Sequence, residues 1–280
     1  MITQTEHVFH SGSFPDQSLT SITYSDPDVP HKSTIIYFHG GGFLYGRNND
    51  LPEEYISLFI ENGFRIISCT YLLAPDYRID QSFSSAKEQV DALLSDKDDK
   101  PYFIFGRSAG AYLALKLGSL HRDIFSGIIA LYGYANFKDI AFQTPNKYYL
   151  AHQRIQDSTF QSIMAKRPLS VDDHPSRYLI YIYARQKGIW LDVLSQNNRA
   201  LFDDLDLSKK ELRQLPPTFL AIATDDRDVP FRHYKLTRKE IPDSELHLIE
   251  SNVHDFDRTD IENLGLPLYR KMMNWLHKHL

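Results

Sequence analysis

Short runs of apolar residues recur along this 280-residue chain, and most of them do not alternate with polar residues. Continuous apolar runs are typical of parallel strands that are covered on both faces. The runs that predict such strands are STIIYF (33–38), FRIISCTY (64–71), YFIFG (102–106), GIIALYG (127–133) and TFLAIAT (218–224). A more polar run, ELHLIE (245–250), predicts a strand at an edge of the sheet.

Segments with helical spacing lie between these strands. They are PEEYISLFIENG, SSAKEQVDALLS and SAGAYLALKLGSLH. A last helix is predicted over about 260–280, where four apolar residues fall on one stripe: Leu264, Leu268, Met272 and Leu276. Strands that alternate with helices predict an α/β fold, with a mostly parallel central sheet and helices on both faces.

The alternation stops between residues 137 and 215. This segment is rich in tyrosine and in helix-forming residues, as in NKYYLAHQRIQ and SRYLIYIYARQKGIWLDVL. A structureless loop of this length is uncommon inside a compact domain. We therefore predict a helical cap over 137–215, inserted over one end of the sheet, and a core made of 1–136 and 216–280.

Composition and charge exclude several classes of protein. The 36 acidic residues outnumber the 31 basic ones, which gives a net charge of −5 and argues against a nucleic-acid partner. The mixed-charge run at 96–100 predicts an exposed loop. No apolar run is long enough to predict a membrane span. The single cysteine, Cys69, excludes an intramolecular disulfide. With no signal-peptide pattern at the N-terminus, we expect a cytoplasmic protein.

The first candidate for chemistry is FGRSAGA, where a predicted strand becomes a helix. The pattern G-x-S-x-G in this context is typical of a nucleophile elbow, because Gly106 and Gly110 leave room for a sharp turn. Ser108 would then lie at a helix N-terminus, where free N–H groups favour negative charge. The alternative is an ordinary tight turn between a strand and a helix.

The second candidate is HGGGF, where three glycines follow a buried strand. Bare backbone at this place suits N–H groups that approach an oxyanion. The segment lacks the lysine of a phosphate-binding P-loop, and Tyr45 stands where G-x-G-x-x-G needs its last glycine. We favour an oxyanion loop over a flexible loop or a phosphate cradle, with His39 as a residue that anchors the loop.

The third and fourth candidates are an acidic strand end and a histidine. Asp225, Asp226 and Asp228 follow a strand, and one carboxylate there could orient a histidine. A solvated acidic loop is the alternative, although the glycine and distal glutamate of a calcium-binding EF-hand loop are absent. His254 follows the last strand. The order serine, acid, histidine is the one that G-x-S-x-G hydrolases use.

These motifs together resemble the α/β-hydrolase superfamily, and more narrowly its hormone-sensitive-lipase-like carboxylesterases. The resemblance rests on HGGGF, GRSAG, TYLLAPD (70–76), DDRDVP and VHDF, and it covers most of the chain outside the predicted cap. It implies an α/β-hydrolase fold and a hydrolase of small-molecule carboxylic esters that needs no metal and no organic cofactor.

The resemblance also implies a role for each matching residue. Ser108 would be the nucleophile and His254 the general base. Asp226 is the preferred acid, because Asp226 to Pro230 fits the D-x-x-V-P pattern of related hydrolases. The oxyanion would be held by the N–H groups of three residues: Gly41, Gly42 and Ala109.

Two departures from the family pattern leave alternatives open. Arg107 stands where these esterases usually carry an acid, and the segment before the glycine loop is too short for their usual helical N-terminal lid. A peptidase of the aminopeptidase or acylpeptide-hydrolase kind is one alternative. A non-catalytic ligand-binding protein on the same fold is another, although such a protein would be expected to lack one of the three triad residues.

The sequence indicates less about the substrate than about the reaction. Aromatic residues of the predicted cap could line an acyl pocket or could simply pack the cap: Tyr148, Tyr149, Tyr178, Tyr181, Tyr183 and Trp190. We expect small or medium acyl chains. An exposed edge strand is compatible with a homodimer.

Overall fold

The structure is a computed structural model that describes residues 1–95, 101–169 and 174–280. The predicted exposed loop at 96–100 lies outside the described residues. The described residues form one eight-stranded sheet with the spatial order β1-β2-β4-β3-β5-β6-β7-β8. The strands are β1 (Thr3–His10), β2 (Ser18–Ser25), β3 (Ser33–Phe38), β4 (Phe64–Cys69), β5 (Tyr102–Arg107), β6 (Phe125–Leu131), β7 (Thr218–Ala223) and β8 (Ser244–Ile249).

Six of these strands form a parallel sheet, as the apolar runs predict. β3 pairs in parallel with β4 and β5, and the parallel pairing continues through β6 and β7 to β8. Every residue of β3, β5 and β7 is buried. These strands therefore have apolar side chains on both faces, which explains why their sequences do not alternate.

The sequence patterns did not predict the first two strands. β2 runs antiparallel to both β1 and β4, and it extends the sheet on the β4 side. The sequence of β1, TQTEHVFH, is mostly polar and almost fully exposed. Backbone pairing with β2 holds this strand, so its side chains carry little hydrophobic signal.

Helices cover both faces of the sheet. The helices in the described residues are α1 (Glu53–Glu61), α2 (Ile79–Ser95), α3 (Ala109–Leu120), α4 (Lys147–Leu150), α5 (Asp157–Met164), α6 (His174–Lys187), α7 (Trp190–Ser195), α8 (Leu201–Leu205), α9 (Lys209–Arg213), α10 (Phe231–Glu240), α11 (Phe256–Thr259) and α12 (Leu266–Lys278). None of them is long and apolar enough to cross a membrane.

Neighbouring residues of β6 show that α3 and α12 lie on opposite faces. Gly118 of α3 packs against the Ile128 side chain, whereas Trp275 of α12 packs over Gly127. Successive residues of a strand point to opposite faces of a sheet. On the α12 face, the rings of Tyr55 and Tyr269 stack with their centroids 3.7 Å apart, which joins α1 to α12.

The described part of 137–215 contains the six helices α4 to α9. Of these, α6 is fastened to the sheet side of the molecule by Arg177, a buried residue. Its guanidinium pairs with Asp76 at 2.5 Å and donates to the carbonyl oxygens of Leu44 and Ala74, both at 3.2 Å. The division into a core and a cap stays a prediction, but α6 is bound directly to the glycine loop and to the TYLLAPD segment.

We expect Arg177→Met to destabilise the protein strongly. Among the described residues, the change leaves the Asp76 carboxylate, which is 5% exposed, with the partly exposed Arg167 as its remaining cationic partner. The expected loss is about 3 kcal/mol in the free energy of unfolding, the lower end of the range for a broken buried pair. Urea denaturation measures it.

Arg199→Met is the matched control, because Arg199 also pairs with an aspartate in the 137–215 segment. That pair, with Asp192, is exposed on its arginine side by 44%. Its removal should change the free energy of unfolding by less than about 1 kcal/mol. Equal losses in the two variants would contradict the anchoring role of Arg177.

Candidate active site

The candidate residues meet because each follows a strand of the parallel sheet. The glycine loop follows β3, Ser108 follows β5, Asp226 follows β7 and His254 follows β8. The carboxyl ends of parallel strands meet at one edge of a sheet, where α/β proteins place their ligands. Residues that are far apart in sequence are thus brought to one site.

Ser108 occupies a sharp turn between β5 and α3. Its backbone has φ 53° and ψ −116°, a conformation that is strained for a residue with a side chain. A Cβ at Gly106 would overlap the carbonyl oxygen of Gly110, and a Cβ at Gly110 would overlap that of Phe38. The two glycines of G-x-S-x-G are therefore required by the close approach of α3 to β3 and β5.

Ser108, His254 and Asp226 form a continuous chain of hydrogen bonds. Ser108 Oγ lies 2.9 Å from His254 Nε2, and His254 Nδ1 lies 2.8 Å from Asp226 Oδ2. The other oxygen of Asp226 accepts from the backbone N–H groups of Asp228 at 2.8 Å and Val229 at 2.9 Å. Among the three acids of this loop, Asp226 is the one bonded to the histidine.

The surroundings of His254 favour its protonated form. Burial by itself lowers the pKa of the imidazole, but the Asp226 carboxylate beside Nδ1 and the charges of Asp228 and Asp255 outweigh burial. Together these groups raise the pKa of His254 to about 9. An imidazole with this pKa accepts a proton readily once it is neutral.

The glycine loop presents backbone to the same place. Gly41 has φ 105°, and a Cβ there would overlap the carbonyl oxygen of Tyr45. Gly41 and Gly42 both line the cavity beside Ser108. Ala109 is the first residue of α3, so its N–H has no acceptor within the helix. Gly41 and Gly42 thus share the cavity with Ser108, and Ala109 directly follows it in the chain, while their role as oxyanion donors stays a prediction.

His39 is buried and bonds within this loop. Its Nδ1 is 2.7 Å from the carbonyl oxygen of Gly40, and its ring stacks on Tyr71 with centroids 4.4 Å apart. Burial is the main cause that lowers the pKa of His39, so the neutral ring donates to Gly40. This geometry supports the expectation that His39 anchors the loop.

The cavity above Ser108 has a volume of about 500 Å³. Six tyrosines contribute to its lining: Tyr45, Tyr132, Tyr148, Tyr149, Tyr178 and Tyr181. Residues with charged side chains also line it: Arg47, Asp50, Arg107, Arg227, Asp228, Asp255 and Arg258. Among the described residues that surround the cavity, Val253 is the single aliphatic side chain.

Two of the six aromatic residues singled out in the 137–215 segment do not line this cavity. Tyr183 stacks on Phe160 with centroids 4.2 Å apart. Trp190 is buried and donates its indole N–H to the carbonyl oxygen of Gly42 at 3.1 Å. Trp190 thus supports the glycine loop from behind, which aromatic spacing alone could not indicate.

Asp228 connects α6 to the acid loop, a role that the sequence did not reveal. Its buried carboxylate pairs with Arg185 at 3.0 Å and accepts the hydroxyls of Tyr149 at 3.1 Å and Tyr181 at 2.5 Å. Its own N–H donates to Asp226. The only signal in the sequence was the repeated acid of Asp226 and Asp228.

Arg107 also has carboxylate partners that sequence reasoning did not find. The guanidinium is buried and pairs with Asp50 at 2.8 Å and with Asp257 at 3.3 Å. Asp257 follows His254 by three positions, and Asp50 follows the glycine loop. The buried charge of Arg107, the departure from the family pattern noted in the sequence, is thus matched by two acids from other segments.

Metal ligands do not cluster in this part of the chain. Across residues 1–95, 101–169 and 174–280, no group of three or more His, Cys, Asp or Glu side chains is arranged to hold a metal ion. Cys69 is buried, and burial raises the pKa of its thiol to about 12.

The strand order, the turn at Ser108 and the cluster of predicted residues are those of a hydrolase scaffold, and comparison with known families agrees. The model of the alpha/beta hydrolase fold family matches residues 35–258, most of the chain. The chain belongs to this family, and the resemblance drawn from the motifs is confirmed at that level.

Solved structures share the whole fold. A protein of unknown function from Staphylococcus aureus subsp. aureus Mu50 is 30% identical, with a TM-score of 0.89 and 98% of each chain covered. An alpha/beta hydrolase superfamily protein from Enterococcus faecalis is 27% identical, with a TM-score of 0.84 and 99% of each chain covered. Carboxyl esterase 2 from Tuber melanosporum is 18% identical and has the same fold, with a TM-score of 0.69 over 100% of this chain and 86% of that one.

We expect nuclear magnetic resonance titration to give His254 a pKa near 9, well above the 6.5 of an ordinary histidine. In Asp226→Asn the carboxylate charge is lost while burial remains, so the pKa should fall toward 6.5. Asp225→Asn is the control, because Asp225 lies on the same loop without a bond to the imidazole, and it should leave the value nearly unchanged. A wild-type pKa of 6.5 or lower would contradict the dominance of the carboxylates.

Proposed function

We propose that this protein is a serine carboxylesterase that hydrolyses small esters through an acyl-enzyme. The observation that carries the proposal is the hydrogen-bonded chain from Ser108 through His254 to Asp226, whose first two members line the cavity. The fold shared with a structure named as a carboxyl esterase supports the reaction class.

The first half of the reaction forms the acyl-enzyme. Neutral His254 accepts the Ser108 proton at Nε2 while Ser108 Oγ attacks the ester carbonyl carbon. The carbonyl oxygen becomes an oxyanion beside the N–H groups of Gly41, Gly42 and Ala109. When the tetrahedral intermediate collapses, His254 returns the proton to the leaving alcohol.

The second half repeats the cycle with water. His254 takes a proton from a water molecule, the resulting hydroxide attacks the acyl carbon, and Ser108 leaves with the proton that His254 gives back. Asp226 keeps Nδ1 protonated and stabilises the imidazolium. Two backbone N–H groups hold Asp226 itself, so its second oxygen stays aimed at the histidine.

The lining of the cavity favours a short acyl group. Each buried methylene of an acyl chain gains about 0.8 kcal/mol only where it replaces water on an apolar surface. Here the walls carry tyrosine hydroxyls and charged groups, which lose hydration if an alkyl chain covers them. We therefore propose short-chain esters with polar alcohols as substrates.

Ser108→Ala should abolish hydrolysis of p-nitrophenyl acetate, because the nucleophilic oxygen is removed. The same change should prevent labelling of the protein by a fluorophosphonate, which reacts with activated serines. Ser119→Ala is the control, since Ser119 is near the far end of α3, and it should keep full activity. Undiminished turnover in Ser108→Ala would sink the assignment, and cleavage of an aminoacyl p-nitroanilide in preference to esters would point to a peptidase.

The catalytic efficiency, kcat/KM, should decline along p-nitrophenyl esters from acetate and butyrate to decanoate, by about tenfold or more, because a long alkyl chain would cover polar groups of the cavity wall and remove their hydration. Tyr178→Leu should improve decanoate relative to acetate, because Tyr178 lines the cavity and is 39% exposed. A wild-type optimum at decanoate would argue against a polar acyl site.

A further inference from the structure

We propose that Arg107 is a positioning residue for the general base, and that it acts on His254 through Asp257 and Tyr132. This inference rests on the proposed function, in which His254 transfers protons to and from Ser108. The proposal concerns a group of buried side chains that underlie the catalytic chain without belonging to it.

The ion pair between Arg107 and Asp257 is the first contact in this group. Arg107 is the last residue of β5 and directly precedes Ser108, whereas Asp257 lies in α11, just after His254. Arg107 is 1% exposed and Asp257 is fully buried. Their pairing at 3.3 Å therefore ties the strand that carries the nucleophile to the segment that carries the base.

The Asp257 carboxylate is also hydrogen-bonded by two tyrosine hydroxyls. Its Oδ1 accepts the hydroxyl of Tyr132 at 2.7 Å. Its Oδ2 accepts the hydroxyl of Tyr269 at 2.9 Å together with the Arg107 guanidinium. The orientation of Asp257, set by Arg107, thus determines where the Tyr132 hydroxyl can bond.

Tyr132 in turn contacts the imidazole of His254. The rings of Tyr132 and His254 meet edge to face, with centroids 4.9 Å apart and planes at 66°. Tyr132 follows β6, and its N–H donates to Ala221 at 2.6 Å. Because the ring is held at its backbone and at its hydroxyl, it forms a fixed wall against the imidazole between Ser108 and Asp226.

The other side of the Arg107 guanidinium is also held by hydrogen bonds. Its Nη2 donates to the carboxylate of Asp50 at 2.8 Å, and its Nε donates to the hydroxyl of Tyr37 at 2.7 Å. Tyr37 in turn donates to Asp50. The planar guanidinium reaches its partners from three separate nitrogen atoms, whereas all three N–H donors of a lysine are on one nitrogen.

The test compares two tyrosines that bond the same carboxylate. Tyr132→Phe removes the hydroxyl on the His254 side, and Tyr269→Phe removes the hydroxyl on the α12 side. Each loses one hydrogen bond to Asp257, so the melting temperatures of the two variants should fall by similar amounts. Arg107→Lys is the third variant. Melting temperature, kcat, KM and the pH profile of kcat/KM for p-nitrophenyl acetate are measured for each.

We expect Tyr132→Phe to lower kcat by about tenfold or more with KM unchanged, since misplacing a reacting group by a fraction of an ångström has effects of this order. Tyr269→Phe should keep kcat within about twofold of the wild type, well short of a misplacement effect. Arg107→Lys should lower kcat as Tyr132→Phe does. In both slow variants the acidic limb of the pH profile should move to lower pH, because a displaced imidazole bonds Asp226 less well.

Equal kcat values in Tyr132→Phe and Tyr269→Phe would overturn the proposal, whether both are high or both are low, because the carboxylate would then have a structural role alone. A folded Arg107→Lys with wild-type kcat and pH profile would overturn it too. If Arg107→Lys does not fold, the tyrosine pair decides the question. Failure of the proposed function looks different: the wild type itself would neither hydrolyse esters nor be labelled at Ser108.

Discussion

The left-handed backbone of Ser108 is the constraint on which the rest of the site depends. A serine in this conformation persists only where its surroundings leave no alternative. The approach of α3 to β3 and β5 provides those surroundings, and it is close enough to exclude a side chain at Gly106 and Gly110. The turn thereby fixes the position of the Ser108 hydroxyl. His254, the glycine loop and the cavity walls must be placed relative to that position.

Buried charge is the second organising element of the molecule. Among residues 1–95, 101–169 and 174–280, three arginines are almost fully buried, and each is paired with a carboxylate: Arg107 with Asp50 and Asp257, Arg177 with Asp76, and Arg185 with Asp228. Buried pairs of this kind add little net stability, because desolvation offsets their attraction. Here these pairs fix the relative positions of the segments that they join, because a planar guanidinium bonds well only to partners that are correctly placed.

Much of this arrangement could be predicted from the sequence, and the exceptions have physical reasons. The central strands and the turn at Ser108 depend on local signals, namely continuous apolar runs and glycines at fixed spacing. β1 escaped prediction because backbone pairing holds it, with almost no buried side chains. The partners of Arg107 escaped prediction because an ion pair between residues 107 and 257 leaves no periodic pattern in either segment.

In the part of the chain that the structure describes, helix α6 is bonded to the acid loop through Asp228, whose carboxylate and backbone carbonyl both bond Arg185. Raising this helix would strip the Arg185 guanidinium and the Tyr181 hydroxyl from Asp228, whose backbone N–H holds Asp226. In mechanical terms, moving α6 would disturb the hydrogen bonds that hold Asp226. Arg227 and Arg258 line the same cavity from outside this helix and are exposed, so solvent reaches the cavity at their side chains without any change in α6.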